Sequence, residues 1–281
     1  MLVALLHPVA QVGGGFSVHA STVLGVAAAG ALYEWRARRG AREAAMLGAP
    51  VNELSVGRRL MFYGALAVLL LTLNGPVHDL SDEYLFSAHM VQHLILELVV
   101  PPLMLAGTPG WMLRPLLRVR GVGAVARFVT RPAPAFAIFN VVLAAWHLPP
   151  LYNLALAVHP VHILQHLMFL VASTLMWWPL LGSLPELPRL SYPGQMLYCF
   201  LMTLPMSVVA VYITMADRVL YPLYAIAPRV LGISPLEDQR YGGLIMWIPG
   251  GLFFYGVMTV VFFLWARRGG EDGVEAAQVA V

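Results

Sequence analysis

Nine histidines carry most of the chemistry this chain could perform, and their spacing sorts them. His89 and His93 are four apart, and Glu97 follows four further on. Residues at i and i+4 share one helical face, about 6 Å apart along the axis. His159, His162 and His166 repeat the device at i, i+3, i+7 in a second segment. Imidazole nitrogen is a ligand for zinc, copper, iron and nickel, and thioether sulfur favours Cu(I). Two histidines four apart can grip one ion while a facing helix completes the shell. His89, His93, His162 and His166 are therefore the candidate metal ligands. Glu97 is a candidate for a supporting or proton-linked role. Met90, Met168, Met215 and Met246 stand at the same level, although any single methionine is more simply apolar filler. Asp238 and Gln239 precede the last apolar block on that side.

The other histidines read differently. His7 and His19 suit a solvated or interfacial place, and His78, His147 and His159 a capping or interfacial one. The single cysteine, Cys199, excludes an internal disulfide and any cysteine-built zinc or iron–sulfur site. It reads as a buried, inert thiol.

The elements that must position these groups are membrane helices. Mean hydropathy is +0.75, and only 11% of the 281 residues are charged, where a soluble domain carries about a quarter. The apolar residues come in blocks of about 20, enough to cross a bilayer core as helix. Barrel strands would alternate with period two, and these blocks are apolar all round. The fold class is all-α, a polytopic membrane bundle forming one domain over residues 1–281. Its seven spans are expected at 16–35, 58–76, 83–107, 133–152, 159–181, 193–215 and 241–265. Met1–Gly15 carries no basic residue and does not read as a cleaved signal peptide.

Arginine sets the direction, since the chain has no lysine. Arg36, Arg38, Arg39, Arg42, Arg58 and Arg59 lie between spans one and two. Arg114, Arg118, Arg120, Arg127 and Arg131 lie between three and four. Arg189, Arg267 and Arg268 follow spans five and seven. All these segments share one side, the cytoplasm, whereas only Arg218, Arg229 and Arg240 fall opposite. The N-terminus is then outside, the C-terminus inside, and every histidine in the outer half or outer loops. Asn74-Gly75-Pro76 ends span two abruptly. Pro101-Pro102 frees a carbonyl near the inner end of span three. Trp146 and the pair Trp177-Trp178 fit interfacial aromatic belts.

Several of these residues also carry a resemblance. Phe86-Ser87-Ala88-His89-Met90-Val91-Gln92-His93, running on to Pro101-Pro102 and Gly107-Thr108-Pro109, resembles the CtaG family linked to caa-type cytochrome c oxidase. Ala145-Trp146-His147-Leu148-Pro149, the His162 to His166 stretch and the block from Asp238-Gln239 to Pro249-Gly250 resemble it too, so that residues 55–265 are covered. The resemblance implies a seven-span assembly factor of the bacterial inner membrane, not an enzyme, that helps copper, transiently as Cu(I), reach an oxidase subunit. It implies that His89, His93, His162, His166 and Asp238 match the family's polar motifs, and we place His147, Met215, Met246 and Glu97 around them. The copper donor is unspecified, and lipid is the remaining partner. A haem-binding redox protein, with iron between histidines of facing helices, a copper or proton transporter, and a purely structural scaffold for oxidase assembly are the competing functions.

Overall fold

A computed structural model describes residues 17–48, 54–187 and 189–279. His7 and the rest of Met1–Gly15, the segment read above for a signal peptide, lie outside the described residues. Among the described residues all regular structure is helical. The principal helices are α1 (Ala20–Met46), α2 (Val56–Thr72), α3 (Gly75–Tyr84), α4 (Phe86–Gly107), α5 (Val122–Val129), α6 (Pro132–His147), α7 (Pro149–Ala157), α8 (His159–Leu181), α9 (Tyr192–Thr214), α10 (Pro222–Ile226) and α11 (Pro235–Val279).

Four of them are long and apolar enough to cross a membrane: α4, α8, α9 and the Pro235–Arg268 part of α11. Two bent pairs raise the number to six if each is one span: α2 with α3 at 55°, and α5 with α6 at 81°. The expected first span coincides with α1, which is outside this set. Its second half carries Glu34, Arg36, Arg38, Arg39, Arg42 and Glu43, charges that lower its apolar character.

Proline decides where several helices begin. Arg131 precedes Pro132 with ψ 147°, and Leu148 precedes Pro149 with ψ 133°. A residue before proline is pushed out of the α region by the ring, and proline suits the first helical position. The expected single span 133–152 is therefore cut at Leu148 into α6 and α7. Asn74 and Gly75, the latter at φ 64°, break α2 from α3 in the same abrupt manner.

Proline also bends α4. A wide π turn covers Ile95–Val99, just before Pro101. Pro101 has no N–H to give to the Glu97 carbonyl, and the Trp177 indole Nε1 donates to that oxygen instead, at 2.9 Å. Trp177 and Trp178 are thus buried hydrogen-bonding residues, 2% and 7% exposed, not members of an interfacial belt. Trp146 is buried as well.

α4 and α8 lie at the centre. α4 packs on α2, α11 and α8, whereas α8 also holds α6 and α7, and α9 packs along α11. Phe86, Met90, Phe139, Phe169, Met202 and Met246 are among the side chains that fill the main core. A smaller cluster joins α1 to α2, with the Tyr33 and Phe62 rings stacked at 3.9 Å. Large apolar side chains are exposed along α8, α9 and α11, for example Leu164, Val171, Val208, Leu252 and Phe263. A face of that kind suits a lipid surround.

Candidate metal centre

The i, i+4 spacing does on α4 and α8 what helical geometry requires. His89 and His93 share one face of α4, with their Nε2 atoms 2.7 Å apart. His162 and His166 share one face of α8, with Nε2 atoms 3.1 Å apart. Because α4 packs on α8, the two faces meet. The rings of His89 and His162 lie nearly parallel at 5.5 Å, and those of His93 and His166 are perpendicular at 5.7 Å. Ligand atoms of His89, His93 and His166 all fall within 4.8 Å of one another. His89, His93 and His162 are buried, whereas His166 is partly exposed.

A carboxylate stands on the other side of the His89 and His162 rings. Asp82, from the last turn of α3, places Oδ2 3.1 Å from His162 Nδ1 and Oδ1 3.6 Å from His89 Nδ1. Its side chain is only 4% exposed. Asp82, His89 and His162 form a second group whose ligand atoms lie within 4.8 Å of one another. His78 Nε2 also reaches Asp82 Oδ2, at 3.2 Å. The His78 tautomer follows from its neighbours. Gln92 Nε2 donates to the Thr72 carbonyl at 2.9 Å, which fixes the amide orientation, and it also donates to His78 Nδ1 at 2.9 Å. The proton of neutral His78 is then on Nε2, facing Asp82. Tyr224 closes the far side of His89: its hydroxyl donates to the Ser81 carbonyl at 2.7 Å and lies 3.1 Å from His89 Nδ1.

Asp238 is placed elsewhere. It is fully buried, and its carboxylate accepts from the backbone N–H of Phe86 at 2.7 Å and of Ser87 at 3.2 Å, and from the Ser87 hydroxyl. These are the first N–H groups of α4, which have no partner within the helix, and a carboxylate there complements both them and the helix dipole. Both oxygens are taken up in this way, so Asp238 aims α4, and through it His89 and His93, without joining the donors. A capping box starts its own helix: Ser234 N donates to Glu237 Oε2 at 2.8 Å, and Glu237 N to Ser234 Oγ at 3.2 Å.

The remaining candidates are dispersed. His147 ends α6 with its ring 5.9 Å from that of His93, and its Nδ1 bonds the Leu143 carbonyl at 2.7 Å. Its Nε2 and His93 Nδ1 are buried without a hydrogen-bond partner among the described residues. Glu97 is buried below the cluster. Met246 and Met90 belong to the apolar core, and Met215 and Met168 are exposed. His159 pairs with His19 at a ring distance of 5.8 Å. His78, expected at an interface, is buried in the cluster. Asp82, Gln92 and Tyr224 were not anticipated. The one signal for Asp82 was an acidic pair, Asp82-Glu83, only three residues before the helix that carries His89.

The family model described as cytochrome c oxidase caa3 assembly factor matches residues 31–268. Uncharacterized proteins of Mycobacterium bovis and Mycobacterium tuberculosis are each 27% identical to this chain, over 77% of it and 35% of their own length. An uncharacterized Mycobacterium leprae protein is 23% identical over the same shares. The chain thus spans about a third of the curated relatives it matches, 35% of their length. No solved structure matches it.

Proposed function

This chain belongs to the cytochrome c oxidase caa3 assembly factor family, and on that premise we propose that it holds copper as cargo on His89, His93, His162 and His166 and passes it to an oxidase subunit. The observation that carries the reading is the meeting of two imidazole pairs from two helices, in a buried setting, with Nε2 atoms 2.7 and 3.1 Å apart within each pair. With metal–nitrogen bonds of about 2.0–2.1 Å, two ligands of a tetrahedral ion stand roughly 3.3 Å apart. The cluster is thus a few tenths of an ångström tighter than a loaded site, a distance that side-chain rotation supplies.

The donors refine the chemistry. All-imidazole ligation suits copper but is less selective for Cu(I) than a methionine-containing site. Partly exposed His166 is the donor through which an ion could be exchanged, as delivery requires. We place the cluster in the outer half of a multi-pass protein of the bacterial inner membrane, with seven spans, the N-terminus outside and the C-terminus in the cytoplasm. The arginine distribution supports that direction. The role is one of holding and transfer, not catalysis.

The test is Cu(I) competition against a chromophoric chelator, using purified wild type and the His93→Ala and His166→Ala variants. Loss of an outer partner of a ligand costs about 10–100-fold in affinity, and loss of a ligand itself should exceed that range. Variants that bind as wild type does would overturn the assignment. A Soret band in the purified protein would instead favour haem.

A further inference from the structure

We propose that the cluster holds two cations, the first on His89, His93 and His166, the second on Asp82, His89 and His162, so that His162 of the four imidazoles named above serves the second ion and His89 is shared. This rests on the copper reading of the imidazole set above. The arrangement of the ring nitrogens supports it. His89 turns Nε2 toward His93 at 2.7 Å, and its Nδ1 faces the Tyr224 hydroxyl at 3.1 Å, the Ser81 carbonyl at 3.3 Å and Asp82 Oδ1 at 3.6 Å. His162 turns Nε2 toward His166 at 3.1 Å and Nδ1 toward Asp82 at 3.1 Å. Two rings from two helices, 16° from parallel, therefore present one nitrogen each to either side. Their ligand atoms and those of Asp82 fall within 4.8 Å of one another, as those of His89, His93 and His166 do. His89 alone belongs to both groups.

Asp82 is built like a supported metal ligand. Ligating carboxylates are themselves hydrogen-bonded by outer partners. His78 supplies that bond through Nε2, at 3.2 Å, and Gln92 holds its tautomer through Nδ1. The Thr72 carbonyl in turn holds Gln92. A mixed carboxylate–imidazole set suits Cu(II) or Zn(II), harder than the ion preferred by an all-nitrogen or thioether set. When both sites are filled, His89 bridges them as imidazolate, having given up its ring proton to solvent as the second metal–nitrogen bond forms.

The experiment counts metal retained by the full-length protein in detergent after Cu(II) loading and desalting, with paramagnetic resonance on the same samples. Wild type should hold two equivalents. Copper ions joined by one imidazolate couple their spins, so the integrated signal should fall well below that of two isolated ions. Asp82→Ala should drop to one uncoupled equivalent. The His93→Ala, His166→Ala double variant should also keep one, at the Asp82 set, and it stands in if Asp82→Ala does not fold. One equivalent in wild type, with Asp82→Ala still holding one at lower affinity, would make Asp82 a residue that orients imidazoles and would overturn the second site, leaving the copper reading intact. No copper retained by wild type after Cu(II) loading would overturn this inference, and none retained after Cu(I) loading as well would overturn the copper reading with it.

Discussion

Two buried acids near the centre, Asp82 and Asp238, illustrate how partners decide a role. Asp238 spends both oxygens on the N-terminus of α4. Replacing it with alanine leaves two N–H groups without an acceptor in a buried place. A lost helix cap costs about 0.5–2 kcal/mol, and we expect Asp238→Ala to destabilise by about 2 kcal/mol, read as a lower unfolding temperature in detergent. Copper equivalents should stay at the wild-type number, because Asp238 touches no donor. The same variant losing metal without losing stability would return Asp238 to the ligand set. Trp177→Phe isolates another single contact. It removes the N–H that satisfies the Glu97 carbonyl beside Pro101, and thermal unfolding should show a loss of about 1–3 kcal/mol.

At the scale of the elements, the site exists only if α4 keeps its place between α2, α8 and α11. Gly107 marks one close approach. A Cβ there would stand 2.6 Å from the Phe62 nitrogen and 2.8 Å from the Arg58 carbonyl oxygen. Both atoms are backbone and cannot rotate aside, so Gly107→Ala must push α2 and α4 apart. Overpacking of this kind costs about 1–3 kcal/mol, and the Tyr33 hydroxyl, which donates to the Gly107 carbonyl at 2.9 Å, is disturbed with it. Gly64 on α2 faces open space, and Gly64→Ala is the control that should lose nothing. Equal unfolding temperatures for the two variants would contradict this packing. The α4 bend belongs to the same scale. Proline alone explains the missing hydrogen bond, but the neighbouring helix, through Trp177, makes the bend tolerable in an apolar surround.

For the whole molecule, the outstanding matter is direction across the membrane. Val18 and Val119 are exposed, at 65% and 54%, and stand near opposite ends of the arginine asymmetry. Cys199 is fully buried, so the wild-type background should be low. A membrane-impermeant thiol reagent applied to intact cells should label Val18→Cys and spare Val119→Cys until the membrane is opened. The reverse pattern would invert the bundle and carry the histidine cluster to the cytoplasmic half.

Much of this was legible in the chain, for physical reasons. Helical class follows from long all-round apolar blocks, since an isolated backbone in lipid must satisfy its own polar groups. The pairs His89 with His93 and His162 with His166 follow from a local rule, the shared face of residues four apart. The local rule stops where one helix meets another. Nothing in the spacing says that α4 and α8 turn their histidines toward each other. Nor does it say that Asp82 stands behind two of those rings, that His78 is buried, or that Asp238 caps α4 from 152 positions away. Those are contacts between segments distant in sequence, set by how bent helices pack, and only the tertiary structure decides them. It turned two recognisable histidine pairs into one cluster and gave that cluster a carboxylate.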